Sequence, residues 1–428
     1  MPRFDPSLFK IPIDRIRAGY YSDKYFTRYV DVLRREGVSH HALYQVFPRS
    51  EACIVGIEEA LAILQSCTGY YNEPDKAADI FSDILDAERK LQKALYIRDY
   101  HAADGATKEK WSLRDRLNAL WVDKWDSIRV LALTDGDMAK DAEIIMTIEG
   151  DPVYFGSLET VFLGVISRAS STATAVKKVV NASRGKPVVL FSARFDHYWV
   201  QATDGYAAFK AGAFGVSTDA NADYWGSKGL GTIPHALIAC YKGDTYRAAE
   251  AFDRWIEPEV NRIVLVDWDN DCIGTTKEVL KRFYENTTGK TLSPATKDLS
   301  TIIGPGRHKI WGVRFDTSGS LRDRSVTPHD ERSLGVSPEL VWKARMEFDR
   351  IGAEKLKIMV SGGFNADRIN LYERLEVPVD VYGVGSSLLR EKVDFTADIV
   401  RMDGIPCAKY GRGQGDYTRL KEVHYKEE

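Results

Sequence analysis

The sequence predicts an α/β fold built on a (β/α) barrel, and three observations carry that prediction. First, from Pro187 onward short apolar strands alternate with helical stretches. Seven strands can be read, at 188–191, 213–217, 231–235, 263–267, 311–316, 357–361 and 381–385. Mostly followed by helices, they indicate a parallel sheet. Second, Arg194, Ser217, His235, Asp267, Asp316, Gly362 and Gly385 all sit at or just past the C-terminal end of a strand. In a barrel these ends converge on one mouth; in a doubly wound open sheet, the competing arrangement, they would be spread along a wide edge. Third, two glycine turns, S-G-G-F (361–364) and G-V-G-S-S-L (383–388), each follow a late apolar strand and precede a predicted helix.

Size and composition set the frame. A chain of 428 residues with 44% apolar side chains can bury a sizeable core and form two domains. The chain is read as an N-terminal α/β domain (1–150), a barrel domain (151–395) and a C-terminal segment (396–428). A net charge of −3 gives no electrostatic footprint for nucleic acid or an anionic membrane, so an anionic ligand must be held locally. The five cysteines, Cys53, Cys67, Cys240, Cys272 and Cys407, are scattered and odd in number. That argues against a disulfide framework and a zinc knuckle, and no metal-ligating residues are assigned. With no signal-like N-terminus and no 18-residue apolar run, a soluble cytoplasmic protein is expected.

Along the chain, Ser22-Asp23 reads as a helix N-cap with Lys24, Tyr25 and Phe26 in the first turn, where an aromatic is usually core. Residues 51–66 pass from a short strand into an amphipathic helix. The segment 79–125 is charged and helical, a solvated face without chemistry. Residues 127–149 return to strands, and 149–167 lead into a helix with Leu158, Val161, Phe162 and Val165 on one face.

The chemistry centres on L-G-T-I-P-H-A-L-I (230–238). Gly231-Thr232 gives a tight polar bend with free backbone N–H groups, and Pro234 fixes the backbone before His235. A histidine at a strand-to-helix turn beside small phosphate-binding residues suits nucleophilic or general-base work on a phosphorylated substrate, although an isolated histidine is more often a cap or core residue. The two glycine turns, with Gly362, Gly363, Gly383, Gly385 and Ser386, form the usual barrel site for a phosphate monoester. In V-R-F-D (313–316), Arg314 and Asp316 share one side of a strand. The arginine can hold a phosphate oxygen; the aspartate can accept ribose hydroxyls or hold Mg²⁺. F-S-A-R (191–194) offers Phe191 to stack a flat ring and Arg194 to bind an anion.

These residues carry a resemblance. G-Y-Y-S-D-K-Y-F-T-R, L-E-T-V-F-L-G, F-S-A-R, G-V-S, G-T-I-P-H-A-L, V-R-F-D, I-M-V-S-G-G-F and Y-G-V-G-S-S-L occur in the order seen in nicotinate phosphoribosyltransferases, and the chain resembles their shorter archaeal-type members from about residue 19 to about 412. The resemblance implies an irregular (β/α) barrel packed with a split α/β sandwich domain, built from N- and C-terminal segments, in a homodimer with the site at the subunit interface. It implies an enzyme joining nicotinate to phosphoribosyl pyrophosphate, coupled to ATP hydrolysis with Mg²⁺ through a phosphohistidine. His235 is then the residue phosphorylated, and Tyr25, within the S-D-x-Y motif with Asp23, stacks on the pyridine from the partner subunit against Phe191. Arg194 faces the nicotinate carboxylate and pyrophosphate, Arg314 and Asp316 hold the phosphoribosyl group, and Ser217 and Thr232 complete the substrate contacts.

The chain also departs from the family pattern. Phe195 follows Arg194 where many members have a second arginine, and Asp219 places a carboxylate near the base pocket. The stretches 285–310 and 318–336 are long. A relative acting on nicotinamide or another pyridine is therefore one alternative, although Ser217 stands where nicotinamide enzymes carry an aspartate. A non-catalytic phosphoribosyl-ligand-binding paralogue is another, disfavoured by the presence of His235, Arg314 and Asp316. A barrel aldolase fits least, since no lysine ends a core strand.

Overall fold

A computed structural model describes residues 5–293 and 299–423. Parts of the N-terminal stretch, of the long connection 285–310 and of the C-terminal segment lie outside the described residues. The chain divides into two compact units, Met1–Ser171 with Lys392–Glu428, and Thr172–Glu391. The division falls within the helix Glu159–Ala182.

The first unit is built on a six-stranded antiparallel sheet. Its strand order is Ile405–Pro406, Phe395–Met402, Ala42–Pro48, Met146–Gly150, Arg129–Ala132 and Lys421–Glu422. Every residue of Ala42–Pro48 is buried, so both faces of this central strand are covered. The core on it includes Tyr44, Val46, Ile57, Leu61, Leu64, Ile148, Phe155 and Phe162. Gln45 interrupts the apolar run, and its amide donates to the Gly413 carbonyl and accepts from the Gly415 N–H, so its burial costs no unpaired group. The charged helical segment forms an antiparallel pair, Pro74–Tyr96 and Tyr100–Asn118, with its own core around Ile80, Phe81, Ile84, Leu113 and Leu117.

The second unit carries the parallel sheet. Its strands run in the order Ile263–Leu265, Gly312–Phe315, Lys357–Val360, Val381–Val384, Val188–Leu190 and Gly215–Val216, with every neighbouring pair parallel. Six of the seven predicted strands are present in this sheet. The first strand in sequence lies beside the last, so the sheet curls around, but Gly215–Val216 and Ile263–Leu265 do not pair.

The predicted strand 231–235 is corrected here: residues 231–234 are irregular chain crossing that gap, and His235 begins a helix. Leu230 N–H donates to Val216 O (2.7 Å) on one side, and Ile233 N–H to Ile263 O (3.1 Å) on the other. Pro234 has no N–H to extend a ladder, and Gly231 has no side chain to pack a sheet face. The helix predicted after G-V-G is also corrected, to a single 3-10 turn, Ser386–Leu389.

Candidate active site

The C-terminal ends of the parallel strands open into a cavity of about 620 Å³. Its lining brings together Phe191, Arg194, Ser217, His235, Arg314, Asp316, Gly362, Gly363, Gly383, Gly385 and Ser386, eleven of the residues proposed from sequence. Thr232 accepts a hydrogen bond from Arg314 Nη1 (2.8 Å). Asp23 and Tyr25 belong to the first unit and are not among the lining residues.

Arg314 is the cation built most firmly into the site. It lies in the strand Gly312–Phe315, flanked by strands on both sides. Burial pulls its guanidinium down from the usual arginine range, against the opposing pull of Asp316 and Asp267. Its Nε is buried without a hydrogen-bond partner, while Nη2 lies 3.9 Å from Asp316. An unused donor on a buried guanidinium is what an anionic ligand would satisfy. Asp316 is held by Ser361 Oγ at 2.8 Å.

His235 opens the short helix His235–Cys240 immediately after Pro234. Its Nε2 lies 3.0 Å from Asp267 Oδ1, with the histidine side chain 43% exposed and the aspartate 8%. Burial raises the Asp267 carboxyl above its ordinary range, and His235 draws it back. An ionised carboxylate can only accept, so with Asp267 charged Nε2 is the donor in this contact and Nδ1 is the ring nitrogen it leaves unused. Sequence reading placed Asp267 at a strand end and gave it no role; its strand position was the available signal.

The glycine turns have a steric role in the cavity wall. A Cβ on Gly383 would lie 2.6 Å from Phe191 Cε2, and one on Gly385 2.9 Å from Phe195 Cε2. Both positions thus make room for an aromatic ring in the cavity wall. Gly362 and Gly363 adopt left-handed φ of 85° and 71°, a conformation suited to glycine, ahead of the Asn365-capped helix Ala366–Arg374. Arg194 is exposed on the 3-10 turn Ala193–Phe195 and lies over the Phe195 ring at 5.2 Å. Arg390, at the end of the turn after Gly385, also lines the cavity and was missed in the sequence, where nothing but its distance from G-V-G marks it.

Asp219 does not line the cavity. Thr218 caps the helix Asp219–Ala222, which turns the chain directly after Ser217. In the first unit, Asp23 occupies an N-cap position without capping; its carboxylate accepts from Thr160 Oγ1 (3.2 Å). Tyr25 is 63% exposed, unlike the usual first-turn aromatic, and the buried face of Lys24–Glu36 is carried by Val30. Among the described residues no group of three or more His, Cys, Asp or Glu is placed to hold a metal ion, and no helix is long and apolar enough to cross a membrane.

No protein-family model matches the sequence. Among curated proteins, the chain is 25% identical over 283 residues to nicotinate phosphoribosyltransferase pncB1 of Mycobacterium tuberculosis, a match covering 64% of this chain and 54% of that one. It is 28% identical over 274 residues to pncB2 of the same organism, covering 63% and 50%. The matched region thus spans about half the length of these relatives. Among solved structures it resembles nicotinate-nucleotide pyrophosphorylase from Pyrococcus furiosus, with a TM-score of 0.67, 27% identity, and coverage of 99% of this chain and 86% of that one. Human nicotinic acid phosphoribosyltransferase shares the fold, with a TM-score of 0.59 at 15% identity over 92% of this chain and 77% of that one. The curled parallel sheet is that of the phosphoribosyltransferase fold. Within that class, the chain is similar to the nicotinate phosphoribosyltransferases.

Proposed function

We propose that this protein joins nicotinate to phosphoribosyl pyrophosphate, releasing nicotinate mononucleotide and pyrophosphate, and couples the transfer to ATP hydrolysis through a phosphohistidine at His235. The observation that carries the proposal is the placement of the His235–Asp267 pair in the same mouth as Arg314, Asp316 and the glycine turns. The similarity to nicotinate phosphoribosyltransferases supports the substrate class.

In the transfer, the bond from ribose C1 to the pyrophosphate oxygen breaks, and C1 bonds to the pyridine nitrogen. The carbon passes through an oxocarbenium-like state, so positioning and neutralisation of the leaving group matter more than a strong base. Arg314 and Arg194 supply positive charge, Asp316 accepts ribose hydroxyls, and the glycine turns with Ser386 take the 5′-phosphate. Phe191 supports the pyridine ring, and Ser217 lies on the base side. Mg²⁺ would arrive with the pyrophosphate and ATP, with Asp316 as the carboxylate offered to it. In the coupling step, His235 Nδ1 attacks the γ-phosphorus of ATP, ADP leaves, and water later takes the phosphoryl group. Run backwards, the transfer is a nucleotide pyrophosphorolysis, the activity in the name of the Pyrococcus furiosus protein. A cytoplasmic homodimer in which the partner subunit's Tyr25 stacks on the base completes the proposal; the exposure of Tyr25 is consistent with it.

The test is incubation of the pure protein with phosphoribosyl pyrophosphate and a panel of pyridines, with and without ATP and Mg²⁺. Nicotinate mononucleotide should form with nicotinate and be stimulated by ATP. Failure of every pyridine to yield a nucleotide would overturn the proposal, and preferential use of nicotinamide would move it to that base.

A further inference from the structure

The segment bridging the gap in the parallel sheet carries Thr232 and His235, yet it has only two main-chain bonds to the strands beside it, from Leu230 and Ile233. A third tie comes from outside the cavity. Asp219, exposed at the first position of Asp219–Ala222, accepts the Gly229 N–H at 2.9 Å through Oδ1. The approach requires glycine: a Cβ on Gly229 would lie 2.7 Å from the Thr218 carbonyl carbon and 3.0 Å from the Asp219 nitrogen. From there the chain runs through Leu230, tied to Val216, and Thr232, tied to Arg314, to Ile233, tied to Ile263, and then to His235 against Asp267.

We propose that Asp219 is a positioning residue, a latch on Gly229 that fixes the bridging segment and so sets Thr232 against Arg314 and His235 against Asp267. It touches no substrate. The role rests on the proposed phosphoribosyl transfer, and it removes Asp219 from base selection, because its carboxylate is engaged with an amide away from the cavity lining. The carboxylate that the sequence placed near the base pocket thereby acts on the histidine side of the site.

The experiment uses the full chain and two variants, Asp219→Ala and Asp219→Asn. Amide hydrogen exchange at Gly229, Leu230 and Ile233 should quicken by about fivefold in D219A, the loss of roughly one hydrogen bond. D219N keeps an acceptor oxygen and should stay within about twofold of the parent. In steady-state assays, kcat of the ATP-coupled reaction should fall by about fivefold in D219A and recover in D219N, with KM for the base and the nicotinate-to-nicotinamide preference within about threefold. Unchanged exchange in D219A would remove the latch, and faster exchange with unchanged kcat would remove the positioning role. A tenfold shift in base preference would return Asp219 to the base pocket. If the parent protein transferred no phosphoribosyl group to any pyridine, the proposed function would fail while the exchange measurement still decided the latch.

Discussion

Two neighbouring parts of the sheet's mouth present their functional groups in different ways. Arg314 comes from a strand with hydrogen-bonded neighbours on both flanks, and Asp316 from the residue just beyond it. His235, by contrast, opens a short helix directly after irregular chain that touches each flanking strand through one hydrogen bond. A group that must hold a charge in one place gains from a rigid support, since misplacement by an ångström is expensive in rate. A proposed phosphoryl carrier has to meet ATP, release ADP and admit water, and a weakly tied segment opens at lower free energy than a ladder. On the proposed mechanism, the fold separates holding from carrying within one cavity.

That contrast can be broken by substitution. The largest effect is expected for Arg314→Gln, which removes the buried cation from the regular side. Steady-state kinetics should show kcat/KM for transfer reduced by about 10²- to 10³-fold, comparable with losing a key electrostatic stabiliser. A loss of less than tenfold would mean that the rigid side does not hold the developing charge.

Next comes His235→Ala, which should abolish ATP hydrolysis and ATP stimulation while leaving slow, uncoupled transfer. Because burial raises the Asp267 carboxyl, its charged form is lost at higher pH than for an ordinary aspartate as the solution is acidified. The acid limb of the ATP-coupled rate in the parent protein should therefore lie above that range. Retention of full ATP coupling in H235A would end the carrier role.

Gly383→Ala tests the regular side sterically. With a Cβ 2.6 Å from Phe191 Cε2, the ring must move. Overpacking of this kind costs about 1–3 kcal/mol. Calorimetry should show weaker binding of the base, and chemical denaturation a lowered stability. The smallest effect is expected for Gly231→Ala in the bridging segment, where a Cβ meets nothing within 4 Å and φ is not left-handed. Stability should stay within about 0.5 kcal/mol. A large loss there would show that the segment is packed as tightly as the strands.

Much of the second unit was legible because buried parallel strands are short continuous apolar runs, and the residue ending each run is easy to read. That is how Arg314, Asp316 and the glycines came together on paper before they did in space. The same rule misread 231–235, where Thr232 and Ile233 resemble a strand but Gly231 and Pro234 prevent a ladder. Asp267 was located without being understood, since its partner His235 lies 32 residues away and only the fold joins them. Gly383 and Gly385 were assigned to phosphate alone because the rings of Phe191 and Phe195, which need the space, are distant in sequence. Ala42–Pro48 escaped notice for a related reason: Gln45 makes the run look broken, and its partners Gly413 and Gly415 stand near the other end of the chain.

That same strand has a consequence for how the molecule is made. Ala42–Pro48 pairs along its length with Phe395–Met402, with Ala42 opposite Met402 and Pro48 opposite Phe395. On a ribosome the strand emerges with one of its neighbours still hundreds of residues from synthesis. Until that neighbour arrives, an apolar strand buried on both faces in the finished protein is left with an open edge, the kind that pairs with other chains. Contacts so distant in sequence also form slowly. Nascent chains halted before residue 395 are therefore expected to lean on chaperones and to aggregate when these are scarce, while the parallel sheet, whose strands all lie between Val188 and Val384, has every strand it needs.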